Sequence, residues 1–398
     1  MTNLTKRGIC SALLAATMIC WLTVGSTAAA PPSQAEPAGY PSPDGVYVAL
    51  VDRSAGSLTL RDAAGADTEV FPAGSTVDSV TWSPDSRRLL AVRTRWLRDQ
   101  DGVPQSGGGL QVWQVELPLG RLATPVNLDC DDAEPTGGLA ACLYQSPATA
   151  DAGPEQLVFG RWSPDSRHVV FWRGPLGASL AADGLPAFVL AVTTGQAFEV
   201  ADIALLTPHY HSWSPGGTTL VMTAGGDRSA LLDKRLVRFD VATGLSTTLI
   251  EPADQVPGAV AWSPTGEWLA YAAVDAAQVD LEQAHNADWD NPGIAGRRIY
   301  LLQPDSGLRL RVSGADAFQD GPHWSADGAT LYFIEREGDV LILMAYSMAT
   351  ANTAPLPVAP QPLPETPGYY GQLPLDALLV YWPVESRPTP TPAPPRGG

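Results

Sequence analysis

The chain has 398 residues, with 24 Lys and Arg against 42 Asp and Glu, for a formal charge of −18. That length holds one large β domain or two ordinary ones, and the acidic balance argues against wrapping nucleic acid or lying on an anionic membrane surface. With 38 glycines, 37 prolines and only 17% charged residues, the composition suits a turn-rich β protein rather than a helical bundle.

Residues 1–29 read as a secretory signal. Lys6 and Arg7 are basic, Gly8 to Val24 is apolar, and Ser26 to Ala30 is small and cleavable. Cleavage near Ala28 or Ala29 gives an extracytoplasmic protein: secreted, periplasmic or at the cell surface. A retained anchor is the alternative. Cys20 suits a lipid anchor poorly, because bulky Ile19 precedes it. No second apolar run is long enough to cross a membrane. Beyond the signal only Cys130 and Cys142 remain. In an oxidising compartment they are expected to form a disulfide, worth up to about 3 kcal/mol. Two unpaired buried thiols are the alternative.

From Pro41 onward a turn motif recurs in six copies: "PSPDG" at Pro41, "WSPDS" at Trp82 and Trp162, "WSPGG" at Trp213, "WSPTG" at Trp262 and "WSADG" at Trp324. Ser opens the turn with a hydroxyl that caps a backbone amide, Pro presets φ, Asp accepts the second corner, and Gly takes the left-handed position. Ser86 and Ser166 stand where Gly is preferred, at a cost in strain. An alternating apolar strand follows each turn, such as "RLLAVR" or "TLVMT". A second strand and Gly turn recurs downstream, at Gly65, Gly120, Gly195, Gly244 and Gly307. The shortest spacing, 41 residues from Pro43 to Pro84, is one propeller blade. The expected fold is all-β: a six-bladed β-propeller of four-stranded antiparallel blades over residues 30–385. A seven-bladed count is the alternative.

These motifs resemble the TolB-like, WD-repeat-related propellers, whose repeat centres on Trp-Ser-Pro-Asp-Gly before an apolar strand. The resemblance covers roughly residues 38–350 and implies the fold more than a function. The chain enters its first repeat almost directly after the signal, whereas TolB carries an α/β domain first. The prolyl-oligopeptidase propeller is similar too, but those enzymes add a hydrolase domain. No Gly-x-Ser-x-Gly elbow, phosphate loop or Cys-x-x-Cys pair occurs here, and no catalytic residue is assigned. Because the first repeat lacks its Trp, residues 376–384 are expected to supply its inner strand and close the ring. Residues 386–398 are a Pro-rich tail.

With strands lettered a to d within a blade, the long connections are expected at b–c positions: Arg93–Gly109, Arg173–Pro186, Ala224–Arg235 and Val274–Arg297. A d–a insertion, Asp129–Glu155, would hold both cysteines and lie on the same face. Loops on a rigid scaffold are where binding concentrates. Arg95, Trp96, Arg98 and Asp99, with Asp288, Trp289 and Arg297, combine aromatics and arginines as interface anchors do. A solvated loop with one tucked tryptophan is the plain alternative. At the channel mouth, His209 and His211 are expected on one side of one strand, with Asp78 and Asp320 at the matching level. Histidines beside carboxylates would suit a metal. Ordinary hydrogen-bonded histidines are the simpler reading. "DQDG" at Asp99 and "DWDNPG" at Asp288 hint at calcium without the EF-hand pattern. No cofactor is expected. The reading is a monomeric, non-enzymatic propeller that binds a protein or envelope glycan. A propeller hydrolase or lyase using His209, His211, Asp78, Asp320, Arg161 and His323 is the alternative.

Overall fold

The structure is a computed structural model that describes residues 38–94, 97–98, 104–105, 109–119, 138–146 and 155–378. The signal segment, Cys130 and residues 379–398 lie outside them. The expected disulfide therefore has only Cys142 on a described strand.

Six antiparallel four-stranded sheets follow one another along the chain, and in each the sequence order is the spatial order. Their inner strands are Ala38–Pro41, Val77–Trp82, Glu155–Trp162, His211–Trp213, Gln255–Trp262 and Gln319–Trp324. The sixth sheet gains a short strand, Gln361–Pro362, beside Val340–Ser347. This all-β arrangement fits a β-propeller. The first sheet takes its inner strand from Ala38–Pro41, and Leu375–Leu378 is a short helix. The rest of the segment expected to close the ring, 379–384, is outside the described residues.

The core lies between sheets, not within them. On the second strand of the second sheet, Leu89 and Ala91 pack toward the first sheet, while Leu90 and Val92 pack toward the third. Val169 and Phe171 face the second sheet, and Val170 and Trp172 face the fourth. Leu269 and Tyr271 face the fourth sheet, and Ala270 and Ala272 the sixth. Period-two geometry sends neighbours to opposite faces, and both faces are buried, so these strands read as continuous apolar runs. The expected apolar–polar alternation is corrected to that extent. Each fully buried Leu or Phe contributes about 2 kcal/mol of transfer free energy.

The turn chemistry is realised in every sheet. The Ser hydroxyl accepts the amide five residues on: Tyr47 at Ser42, Arg88 at Ser83, His168 at Ser163, Thr219 at Ser214, Trp268 at Ser263 and Thr330 at Ser325. Where the residue two beyond Ser is Asp, the same hydroxyl also donates to it, at 2.6 Å in Ser42–Asp44, Ser83–Asp85, Ser163–Asp165 and Ser325–Asp327. Ser86 and Ser166 hold left-handed φ of 58° and 59°. Each returns something for that strain. Ser86 Oγ accepts the Asp44 amide at 3.0 Å, and Ser166 Oγ accepts the Asp85 amide at 3.2 Å, so each bonds to the turn of the preceding sheet.

One expected connection is misplaced. Cys142 lies on Ala140–Gln145, the outer strand of the second sheet. The described chain therefore leaves the third strand, Leu110–Glu116, and enters the fourth, Ala140–Gln145, at the a–b turn end of the sheet. The sequence predicts a short Gly turn at Gly120, which lies outside the described residues, and "AACLYQ" carries no turn signal to mark where the fourth strand begins.

Replacing Ser166 separates the two contributions. Ser166→Ala keeps the left-handed backbone and loses the bond, costing about 1 kcal/mol. Ser166→Gly loses the same bond but relaxes the backbone, so it is expected to be near neutral. Denaturant midpoints of the two variants check this, and equal destabilisation would contradict it.

Candidate functional site

Four of the inner strands bulge within the few residues leading to their tryptophan. Pairing with the second strand slips between Val77 and Ser79, Phe159 and Trp162, Pro257 and Val260, and Asp320 and His323. A bulge re-aims side chains out of the regular pleat. In the fourth sheet a short 3-10 turn, Pro208–Tyr210, replaces the strand at this level. The irregular segments of the third to sixth sheets, without that of the second, line a cavity of about 60 Å³ bounded by Arg161, His209, Ser212, Ala259–Ala261, Gly321–His323 and Leu375.

Arg161 is fixed from the neighbouring sheet. Its backbone N–H donates to His211 Nε2 at 3.2 Å, and its carbonyl accepts Trp213 Nε1 at 3.1 Å. Its guanidinium lines the cavity, yet protein surrounds it closely enough that burial pulls its pKa down, with Asp376 opposing. Arg161 Nε is buried without a hydrogen-bond partner. Burial, then Arg161, then His209 depress His211 to a pKa of about 3 and His323 to about 4. Both are neutral at ordinary pH. At the rim, His209 Nε2 lies 2.9 Å from Asp376 Oδ1, and that bond is the chief cause holding the Asp376 carboxyl below its usual value.

Of the four residues expected at the channel mouth, only His209 lines the cavity. His209 and His211 do not share a strand: the 3-10 turn ends before His211, whose ring packs edge-on to Trp172. Asp320 is buried in an ion pair with Arg297 and accepts the Gly321 amide. Asp78 is exposed and takes the Thr94 hydroxyl. Among the described residues no three His, Cys, Asp or Glu side chains gather in a way that could hold a metal. Arg161 and His323 belong to the cavity, as the enzymatic alternative expected. Leu375 and Asp376 were not anticipated. Gly160, Gly258 and Gly321 each interrupt an inner strand, and such glycines are the sequence signal for bulges.

The expected interface anchors divide. Trp289 is buried: its Nε1–H donates to the Pro364 carbonyl at 2.8 Å, its ring meets Phe318 edge-on, and Arg336 lies over it. With Arg297 committed to Asp320, both are internal, and the expectation that they meet a partner is corrected. Asp288 is exposed and caps the Asp290 amide. Arg95, Trp96 and Asp99 lie outside the described residues. Arg98 falls on a short ladder, Leu97–Arg98 with Pro104–Gln105.

The b–c loops are stitched to one another and to the C-terminal segment. Arg228 binds both oxygens of Asp183 at 2.6 and 2.8 Å and lies over the Tyr370 ring. His285 meets Asp227 at 2.9 Å, and Ser229 donates its hydroxyl to the Ala284 carbonyl. The Ala230 amide donates to Tyr370, and Arg297 reaches the Gly371 carbonyl. From beneath, the buried Lys234 ammonium donates to the carbonyls of Gly226, Asp227 and Leu232.

No protein-family model matches the chain, and no curated protein does. Solved structures do. TolB from Acinetobacter baumannii matches at 14% identity over 81% of this chain and 63% of that one, with a TM-score of 0.36. An oligogalacturonate lyase in complex with manganese matches at 14% identity over 78% and 76%, with a TM-score of 0.40. Porphyromonas gingivalis dipeptidyl peptidase 4 matches at 12% identity over 81% and 47%, with a TM-score of 0.45. The structural neighbours are TolB-like β-propellers. The fold reading rests on the sheets themselves, not on these scores. No helix among the described residues is long and apolar enough to cross a membrane.

The two neutral histidines set an acid limb of stability. Unfolded, each protonates near pH 6.5. Folded, His323 resists to about 4 and His211 to about 3. Their contribution is therefore complete above pH 6.5 and drains as the pH falls toward those values, on the order of several kcal/mol together. His211→Gln is expected to flatten the fall in urea midpoint between pH 7 and about 4 relative to wild type. An unchanged slope would contradict the assignment.

Proposed function

We propose that the chain is an exported six-bladed β-propeller that acts as a binding module, taking a protein partner on the face built from its b–c loops. The observation that supports this reading is the composite construction of that face. Loops of three successive sheets and the C-terminal segment are joined by ion pairs and hydrogen bonds that none of them needs for its own strand pairing. Loops that merely lengthened without function would have no reason to cross-brace. On this braced ground, large apolar side chains remain open: Leu176 at 58% exposure, Leu180 at 49%, Leu281 at 72% and Tyr369 at 55%. Ordered, exposed apolar groups rimmed by charge mark interaction surfaces. An envelope glycan is the alternative partner on the same face.

The second reading is an extracytoplasmic propeller hydrolase or lyase at the channel mouth, favoured by Arg161 and His323 on the cavity wall. The residues expected to supply its carboxylates, Asp78 and Asp320, stand elsewhere.

The test combines Leu176→Asp, Leu180→Asp and Tyr369→Asp, all at exposed positions, so the melt is expected to match wild type. Wild type and an opposite-face control, Leu245→Asp with Leu308→Asp, are expected to capture the same protein from envelope extract, and the triple variant to lose it. Retention by the triple variant would overturn the face assignment. A carbohydrate retained in place of a protein would identify the glycan.

A further inference from the structure

Among the described residues, the Arg161 cation on the cavity wall has no counter-charge in contact. Among the described residues, the Arg161 guanidinium makes no hydrogen bond and no ion pair, and its Nε is sealed from solvent. Arg161 is partly buried, and a guanidinium whose Nε is sealed without a partner is held at a net cost in stability unless something else compensates. Its neighbours on the wall do not compensate. His323 is a neutral ring, and His209 is bonded to Asp376. Asp376 is the carboxylate that acts on Arg161 from a distance, and its side chain is 70% exposed at the rim. Releasing an exposed carboxylate to water costs little.

We propose that this cavity is a binding site for the carboxylate head group of a small organic acid, seated on the Arg161 guanidinium and taking over from Asp376 the bond to His209. Three features select that chemistry. A cavity of about 60 Å³ admits a head group or a pair of waters and excludes a sugar ring. One guanidinium matches one negative charge and presents paired N–H donors to the two oxygens of a carboxylate. The rim already accommodates a carboxylate, that of Asp376, on His209. Leu375 fixes the rim by packing against Gly321, where a Cβ would stand 2.8 Å from Leu375 Cδ2. The inference goes beyond the partner-binding reading and does not depend on it, since no loop residue of the b–c platform takes part.

The experiment titrates acetate into the full chain, with chloride at matched ionic strength as control, and reads heat of binding and melting temperature. Acetate is expected to raise the melting temperature of the wild type and chloride to leave it unchanged. Asp376→Ala removes the resident competitor and is expected to bind acetate about tenfold more tightly. Arg161→Gln removes the buried charge, so it is expected to melt no lower than wild type without ligand and to give no acetate response. Arg161→Lys keeps the charge but loses the paired donors, and is expected to bind more weakly than wild type. Acetate without effect on wild type and Asp376→Ala, an equal shift with chloride, or an undiminished response in either Arg161 variant would each overturn the proposal. The Arg161→Lys arm decides the matter if Arg161→Gln does not fold. None of these readouts involves partner capture, so the two readings fail separately.

Discussion

The molecule depends on one junction, repeated between each pair of successive inner strands. The indole of Trp82 donates to the Tyr40 carbonyl, Trp162 to the Thr81 hydroxyl, Trp213 to the Arg161 carbonyl and Trp324 to the Ala261 carbonyl. In every case the acceptor is the residue just before the tryptophan position of the preceding sheet. The fifth sheet makes the same junction differently. The Trp262 indole nitrogen has no partner, and its backbone amide donates to the Ser212 hydroxyl instead. A single four-stranded sheet with two apolar faces is not stable alone, since each face needs a neighbour. Hydrophobic burial supplies the attraction but no register, because it is non-directional. The tryptophan bonds supply the register.

That register has a consequence at the channel. Once inner strands are fixed at one height, irregularities two to four residues before each tryptophan fall close to one level. The slips at Asp78, Gly160, Gly258 and Gly321 all fall there. A bulge in one strand alone would only twist that strand. The bulges of the third, fifth and sixth sheets contribute Arg161, Ala259–Ala261 and Gly321–His323 to one small space. The Pro208–Tyr210 turn does the same for the fourth sheet by another route.

Legibility in the sequence followed the range of the interactions. The Ser-centred turn is complete within six residues, so its letters announced it, including the amide cap that recurs in all six sheets. Where a boundary is set by a long connection, as before Ala140–Gln145, no local signal marks it, and Cys142 reads as loop although it lies on a strand. The cavity was half visible. His209, Arg161 and His323 all stand within four residues of a repeating tryptophan. Their true grouping depends on bulges, which are properties of a strand pair, and on Asp376, 167 residues from His209 along the chain. Trp289 and Arg297 looked like interface anchors because an aromatic beside an arginine in a long loop has the same letters whether it faces a partner or its own C-terminal segment.

His211 shows how the structural and chemical demands at the cavity are joined. Its Nε2 accepts the Arg161 amide, so that nitrogen must be unprotonated for the bond to exist. Burial and the neighbouring guanidinium keep it so. With Trp213 holding the Arg161 carbonyl on the other side, both backbone groups of Arg161 are gripped by side chains of the next sheet, two residues apart on one short strand. The backbone from which the Arg161 side chain projects is therefore set by the junction between sheets, and among the described residues no salt bridge uses its donors. The same arrangement explains why Gly160 precedes Arg161: a Cβ there would stand 2.7 Å from the Trp172 ring and 3.1 Å from His211 Nε2, displacing the ring that holds the arginine in place.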